Sequence, residues 1–228
     1  MSYLVFECLG QPDKDLAATA VVRALKKAHS KRQIVVVSAN PEVWWHNPNV
    51  YRVYKAGAMP YFYDDYIHNQ ETIIHRLDPF QATDAIYRRR PLNQIWCELC
   101  QVPSAGDKSE LYFTGREREV VGKLMAGASA GQPTLLIQAR EPYRALAKEI
   151  ATKVLEQGYA VIQLESLNFD LRRSLAAPIA SDWCLSFDSY LDGAAVALDK
   201  PVIAFGPEDP TTFHQNDIIK MVLAKLKK

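Results

Sequence analysis

The sequence contains no long hydrophobic segment and no strong excess of charge of either sign. Nowhere do about 18 apolar residues follow one another without interruption, so no membrane-spanning helix is predicted. The first residues, MSYLVFECLGQPDKD, have neither the basic segment nor the small-residue cleavage site of a secretion signal. A formal net charge of +1 gives no whole-chain field directed at nucleic acid or membrane surfaces. We therefore expect a soluble, cytoplasmic protein.

Cysteine is scarce as well. The four cysteines, Cys8, Cys97, Cys100 and Cys184, are scattered among apolar residues, which is typical of reduced thiols rather than of a disulfide framework. Cys97 and Cys100 form a C-x-x-C pattern, but no second pair stands at zinc-site spacing, and the surrounding segment has a helical pattern. We expect these two side chains to lie in the core and to bind no metal.

Strand-like and helix-like stretches alternate in the first half of the chain. The predicted strands are residues 3–9, 33–38 and 50–55. The predicted helices are residues 13–29 and a broken helical stretch from about 70 to 100. Apolar strands flanking a helix indicate a β-α-β unit with parallel strands.

A Gly/Ala/Ser-rich stretch, GASAGQP at 127–133, separates the two halves, and the alternation restarts after it. The predicted strands of the second half are 134–138, 160–165, 182–187 and 201–206. Its predicted helices are 141–157, 171–179 and a last helix that runs to residue 228. We therefore expect two α/β domains, 1–115 and 132–228, each built on a parallel sheet.

Polar or glycine residues follow each predicted strand. Open parallel sheets bind ligands beyond the carboxyl ends of their strands, where the N–H groups of helix N-termini are free. The residues at these positions are 10–15, 38–40, 139–143, 165–168, 188–193 and 206–209. Helix starts are also polar because they need caps, so this pattern alone leaves both a functional cleft and plain caps open.

Two stretches carry a resemblance to a known family. Residues 188–210, DSYLDGAAVALDKPVIAFGPEDP, resemble the nucleotide-sugar-binding region of glycosyltransferase family 9, the heptosyltransferase-like enzymes. That family's pattern runs roughly D-S-G-x-x-H-x-A-x-A-L-G-K-P-V-x-x-x-F-G-P-T-D-P. Residues 19–26, TAVVRALK, the strand at 34–37 and NPNVYRV at 47–53 are similar to its first β-α-β unit and its N-P-x-V-x-x-V continuation. The two stretches stand in the family's order.

The resemblance implies a short, divergent member with a GT-B-like fold, two facing Rossmann-like domains with parallel sheets. It implies an inverting hexosyl- or heptosyltransferase that uses a nucleotide-diphosphate sugar as donor substrate and needs neither a cofactor nor a metal. The C-terminal domain would bind the donor and the N-terminal domain the acceptor. The nucleotide-sugar-binding residues that we predict are Arg140, Arg144, Glu165, Asp188, Ser189, Gly193, Gly206 and Pro207.

Two positions depart from the family pattern. Gly193 replaces the family's His, and Tyr190 replaces the Gly that follows Asp-Ser. A phosphate-contacting imidazole is therefore missing, and we predict that Arg140 and Arg144 replace it, because guanidinium groups pair well with phosphate. A solvated helix face is the alternative for the two arginines, and a plain helix cap is the alternative for residues 188–189.

The family's candidate catalytic base is an Asp in the turn after the first strand. Counting back from residues 23–25 places Lys14 at that column, between Asp13 and Asp15. We predict that Asp13 is the base, because it lies nearer the loop, with Asp15 as the second candidate. Acidic residues that complement the helix dipole are the structural alternative for both.

An aromatic and basic middle section is the predicted acceptor side. It contains PYFYDDYIH at 60–68 and the cluster Arg88, Arg89 and Arg90. Aromatic rings stack on sugar rings or bases, and a three-Arg cluster can bind phosphates. The family resemblance implies a saccharide or glycolipid acceptor. Core aromatics beside a solvated charge cluster are the alternative. Two other functions stay open, a transferase acting on a hydroxymethylated DNA base, and a binding protein that kept the fold and lost catalysis.

Overall fold

The computed structural model describes residues 2–77, 90–106, 108–187, 190–206 and 215–226. The chain divides into two compact units, Met1–Tyr112 and Phe113–Lys228. Each unit contains one four-stranded sheet in which the neighbouring strands are parallel. The predicted α/β class with two parallel sheets is therefore confirmed.

The first unit is built around strand β1. Its strands are β1 (Ser2–Cys8), β2 (Gln33–Ser38), β3 (Arg52–Lys55) and β4 (Glu71–Leu77). Its helices are α1 (Pro12–Ala28), α2 (Phe62–Tyr66) and α3 (Leu92–Leu99), and a 3-10 turn lies at Pro41–Val43. The strand order is β3-β2-β1-β4, so β1 is an inner strand whose carboxyl end lies beside those of β2 and β4.

Both faces of β1 and β2 are buried. On one face, Val5 and Val35 pack in a cluster with Tyr54, Phe62 and Tyr66. The alternate side chains of the same strands are also fully buried, as expected where helices cover a parallel sheet on both sides. This arrangement explains why these strands read as continuous apolar runs.

Strand β4 corrects one expectation, since residues 71–77 lie in the stretch predicted to be helical. Glu71–Leu77 pairs in parallel with all seven residues of β1. Three consecutive β-branched residues, Thr72, Ile73 and Ile74, favour a strand, and the pairing with β1 is a long-range contact that no local pattern shows. The helical prediction holds for Leu92–Leu99. Residues 78–89 lie outside the described part.

The second unit repeats the same plan. Its strands are β5 (Thr134–Ala139), β6 (Ala160–Gln163), β7 (Trp183–Phe187) and β8 (Val202–Phe205). Its helices are α4 (Gly115–Ser129), α5 (Arg144–Leu155), α6 (Leu171–Ala176), α7 (Leu191–Ala197) and α8 (Gln215–Leu226). Short 3-10 turns lie at Leu164–Leu167 and Ala177–Ala180. The strand order is β6-β5-β7-β8.

One face of this second sheet packs against α5 and α8. Ile137 and Phe187 belong to a buried cluster that also contains Ile150 of α5 and Ile218 of α8. The Phe187 ring stacks on Phe205 with centroids 5.0 Å apart. Aromatic stacking therefore joins the carboxyl ends of β7 and β8.

A charged contact fixes α4 within the second unit. Thr114 and Glu117 form a capping box at the start of α4. Arg172 of α6, which is buried, donates from Nε to Glu117 Oε1 at 2.7 Å and lies over the Phe113 ring at 4.1 Å. The pair holds the first turn of α4 against α6.

All four cysteines are free and buried, so the prediction that Cys97 and Cys100 lie in the core is confirmed. Burial raises the pKa of the Cys100 thiol to about 12, and the neighbouring Cys97 adds to the effect. None of the helices in the described ranges is long and apolar enough to cross a bilayer.

Candidate functional site

The turn between β1 and α1 places two carboxylates at the carboxyl edge of the first sheet. Helix α1 begins with Pro12, and Gln11 is its N-cap residue, without a side-chain capping bond. Asp13 and Asp15 both lie in the first turn of the helix. Neither is the N-cap, so a capping bond at that position does not account for them.

Asp15 is fully buried and accepts several hydrogen bonds. Its Oδ1 accepts from the Ser38 hydroxyl at 2.7 Å and from the Trp44 indole N–H at 2.8 Å. Its Oδ2 accepts from Asn40 Nδ2 at 2.6 Å. The carboxylate thus ties the first turn of α1 to the end of β2 and to the turn that follows it.

Burial dominates the electrostatics of this cluster. It raises the pKa of Asp15 from 3.8 to about 6, although hydrogen bonds from Asn40, Ser38 and Trp44 favour the charged form and oppose the shift. Burial also raises the pKa of the Cys8 thiol, and the Asp15 carboxylate adds to that effect. The Cys8 thiol therefore stays protonated at neutral pH, next to a carboxylate that is mostly ionised.

Asp13 has a different environment. Its side chain is 34% exposed, and Oδ2 forms an ion pair with Lys14 at 3.0 Å. The other oxygen, Oδ1, is buried and accepts no hydrogen bond from any residue that the structure describes. Because part of this carboxylate is exposed, a substrate hydroxyl can reach it, as a general base requires.

The predicted acceptor arginines are described only in part. Arg90 is exposed and pairs with Glu98 on α3, with one contact at 3.1 Å. This interaction lowers the pKa of Glu98. Arg88 and Arg89 lie outside the described residues.

In the second unit, a pocket of about 420 Å³ opens beside the carboxyl ends of β5 and β6. It brings together Arg144 and Glu165, two of the predicted donor-binding residues. Lys148, one turn further along α5, adds a second cation. The backbone N–H of Ala139 donates to Glu165 Oε1 at 3.2 Å, which holds this carboxylate at the pocket wall. Arg144 also pairs with Glu141 at 3.2 Å.

The other predicted donor residues are spread along the same edge of the sheet. Arg140 follows β5, and its backbone N–H donates to the Phe187 carbonyl at 3.4 Å. Gly193 lies within the first turn of α7, and Gly206 follows β8 directly. Asp188, Ser189 and Pro207 lie outside the described residues.

Comparison with solved structures identifies the fold of the chain. No protein-family profile and no curated protein sequence matches the chain. A family 9 glycosyl transferase from Veillonella parvula DSM 2008 superposes with a TM-score of 0.66 at 11% identity, covering 90% of this chain and 81% of its own. The E. coli ADP-heptose LPS heptosyltransferase II gives 0.63 at 13% identity, covering 91% and 86%.

A third structure, E. coli heptosyltransferase WaaC with ADP, gives a TM-score of 0.60 at 11% identity, covering 100% of this chain and 98% of its own. The chain has the fold of glycosyltransferase family 9. The predicted resemblance in fold is therefore confirmed. At identities this low the likeness concerns the path of the chain and not the chemistry of the site.

The site contains residues that the sequence patterns did not single out. Trp44 and Cys8 surround Asp15, and Lys148 lines the pocket with Arg144. Lys148 follows Arg144 by four residues on a predicted helix, so helical spacing was a usable signal for it. Trp44 gave no such signal, because it lies in an irregular segment that only the fold brings to Asp15.

Proposed function

We propose that the protein is a glycosyltransferase that moves a sugar from a nucleoside-diphosphate sugar to the hydroxyl of a saccharide or glycolipid acceptor. The observation that carries this proposal is the likeness in fold to family 9 and heptosyltransferase structures over about 90% of the chain. Fold alone does not determine chemistry, so the residues at the sheet edges have to supply the rest.

Asp13 is the proposed general base. Its partly exposed carboxylate accepts the proton of the acceptor hydroxyl while the hydroxyl oxygen attacks the anomeric carbon. The bond between that carbon and the diphosphate oxygen breaks, and the nucleoside diphosphate leaves with the bonding electrons. A single displacement of this kind inverts the anomeric centre. Inversion, and transfer without a metal or cofactor, follow here from the family resemblance.

Asp15 is the proposed positioning residue. It is fully buried, and its oxygens accept hydrogen bonds from Ser38, Asn40 and Trp44, so it does not reach an acceptor. By joining α1 to the end of β2 it fixes the backbone two residues after Asp13. Removal of Asp15 would therefore misplace the base rather than eliminate it.

The pocket beside β5 and β6 is the proposed site of the donor's charged part. Arg144 and Lys148 supply cationic side chains, and about 420 Å³ lies within the ~300–1,000 Å³ usual for small-molecule sites. In the family pattern a His contacts the diphosphate of the donor, and that His is missing here. These two cations would neutralise the negative charge of the diphosphate in its place. Asp188, Ser189, Gly193, Gly206 and Pro207 remain predicted donor contacts.

A binding protein without catalysis is the second candidate. The observation that favours it is Gly193, which stands in the first turn of α7 at the column of the family's His and offers no side chain. Such a protein would bind the donor and not cleave it.

Calorimetry with ADP, GDP, UDP, CDP and dTDP, and with their hexose or heptose conjugates, tests the proposal. We expect at least one nucleoside diphosphate to bind, and its sugar conjugate to be cleaved when candidate saccharides are added. Binding without cleavage would favour the second candidate. An absence of binding to all of them at millimolar concentration would contradict both.

A further inference from the structure

Among the described strands of the second sheet, the order reverses at one point. The chain runs from β5 outward to β6 on one side, and then crosses to β7 and β8 on the other. The crevice between the carboxyl ends of β5 and β7 is therefore the topological switch point of this sheet. Open α/β sheets bind ligands at such a point.

Gln138 and Ser186 flank this crevice. They are in-register neighbours on β5 and β7, one residue before each strand ends. Ile137, Ala139 and Phe187 belong to the apolar cluster beneath α5 and α8. Because side chains alternate along a strand, Gln138 and Ser186 face the opposite side of the sheet. Both are buried, although each is a polar residue in an apolar strand.

The amide oxygen of Gln138 accepts no hydrogen bond from the part of the chain that the structure describes. The residue is only 9% exposed, and Oε1 is buried without a hydrogen-bond donor among the described residues. A buried acceptor without a donor destabilises a protein by about 1–3 kcal/mol, so such groups are rare without a function. A ligand bound at the switch point would supply the hydrogen-bond donor for this oxygen.

We propose that Gln138 is a specificity-determining residue that reads the nucleoside part of the donor. Its Oε1 accepts a hydrogen bond from a ribose hydroxyl or from an exocyclic amino group of the base. This inference rests on the proposed function and goes further, because it names a residue that the family pattern did not supply and the part of the ligand that it contacts.

Because Gln138 Oε1 is a hydrogen-bond acceptor, it can bind the nucleoside part of the donor but not the diphosphate. An ionised diphosphate presents only acceptor oxygens, which repel a carbonyl oxygen. A ribose hydroxyl or an amino group presents the donor that Oε1 lacks. A site that offers a buried acceptor also rejects analogues without the matching donor, because the acceptor then stays unpaired.

The test compares Gln138→Met with the wild-type protein. Methionine keeps the length and volume of the side chain and removes the carbonyl acceptor. Calorimetry is carried out with the nucleoside diphosphate that binds the wild-type protein best and with inorganic pyrophosphate. We expect the variant to bind the nucleoside diphosphate at least tenfold more weakly and pyrophosphate within twofold of wild type. Gln157→Met, at an exposed glutamine after α5, is the matched control and should change neither affinity.

Thermal unfolding of the ligand-free protein adds a second readout. Because the variant loses a buried unpaired acceptor, its melting temperature should stay equal or rise. Unchanged nucleotide affinity, or an equal loss for nucleotide and pyrophosphate, would overturn the role of Gln138 while leaving the transferase proposal intact. A lower melting temperature with unchanged affinity would show that the residue is structural. If the wild-type protein binds no nucleotide, both proposals fail.

Discussion

Lowering the pH from 7 to 4 should stabilise the first unit through Asp15. Burial raises the pKa of this carboxyl from 3.8 to about 6 in the folded chain. The folded unit therefore holds the Asp15 proton more tightly than the unfolded chain does. Between these two pKa values, each step toward lower pH adds to the free energy of unfolding.

The size of the effect follows from the two pKa values. One pKa unit corresponds to 1.36 kcal/mol, so the shift of Asp15 from 3.8 to about 6 is worth ~3 kcal/mol. This contribution is absent well above pH 6, where both states are ionised and the folded unit keeps a buried charge. It reaches nearly its full size at about pH 3, below the pKa of 3.8 of the unfolded chain.

Urea unfolding at several pH values measures the contribution of Asp15 to the free energy of unfolding. Trp44, Trp45 and Trp96 lie in the first unit, and the fourth tryptophan, Trp183, lies in the second. In a Trp183→Phe background, tryptophan fluorescence therefore reports the first unit. The same titration on Asp15→Asn in this background removes the group, and the difference between the two proteins cancels the other titrating residues.

We expect the stability of the wild-type protein relative to Asp15→Asn to rise by about 2.5 kcal/mol between pH 7 and pH 4. A difference that does not vary with pH would refute the argument, since it would mean that burial does not control this carboxyl. A difference of opposite sign would show that the hydrogen bonds from Ser38, Asn40 and Trp44 outweigh burial.

The second unit should respond to acid in the opposite way, because Arg172 and Thr114 overcome the effect of burial on Glu117 and lower its pKa to about 2. We expect its stability, followed by hydrogen exchange in β5, to fall as the pH drops from about 4.5 toward 2, and Glu117→Gln to abolish that change. Tyr61→Gly should raise the stability of the first unit by ~0.5–1 kcal/mol in urea titrations, because Tyr61 is 78% exposed and has a left-handed backbone with φ 59°. A loss of stability in that variant would mean that the Tyr61 ring contributes packing.

The parts of the fold that local patterns specify were predictable. Residues 33–38 and 134–138 are mostly apolar runs between helical patterns, and both form inner strands of parallel sheets. Strand β4 was not predictable from its own residues. Its partner is β1, about seventy positions away in sequence, and its edge position leaves it no simple alternation of buried and exposed residues.

The candidate site likewise has parts that the sequence predicts and parts that only the fold determines. The strand-end rule indicates the turn after β1, and the family resemblance indicates Asp13 and Asp15, which both lie there. Their different environments were not predictable, because the donors to Asp15 lie 23 to 29 residues further along the chain. Asp13 Oδ1 and Gln138 Oε1 accept no hydrogen bond within the described ranges, and this too follows from three-dimensional packing and not from any spacing in the sequence.

The most direct test of the account is the rate at which Asp13→Asn releases nucleoside diphosphate from the sugar donor that the wild-type protein binds. Asparagine keeps the size of the side chain and removes its basicity. We expect a loss of about 100-fold or more in turnover with nearly unchanged donor affinity, the signature of an interaction made only in the transition state. Glu119→Gln, at an exposed carboxylate of α4, should keep full activity. Full activity in Asp13→Asn would contradict the assignment of the base, and with it the mechanism proposed for this fold.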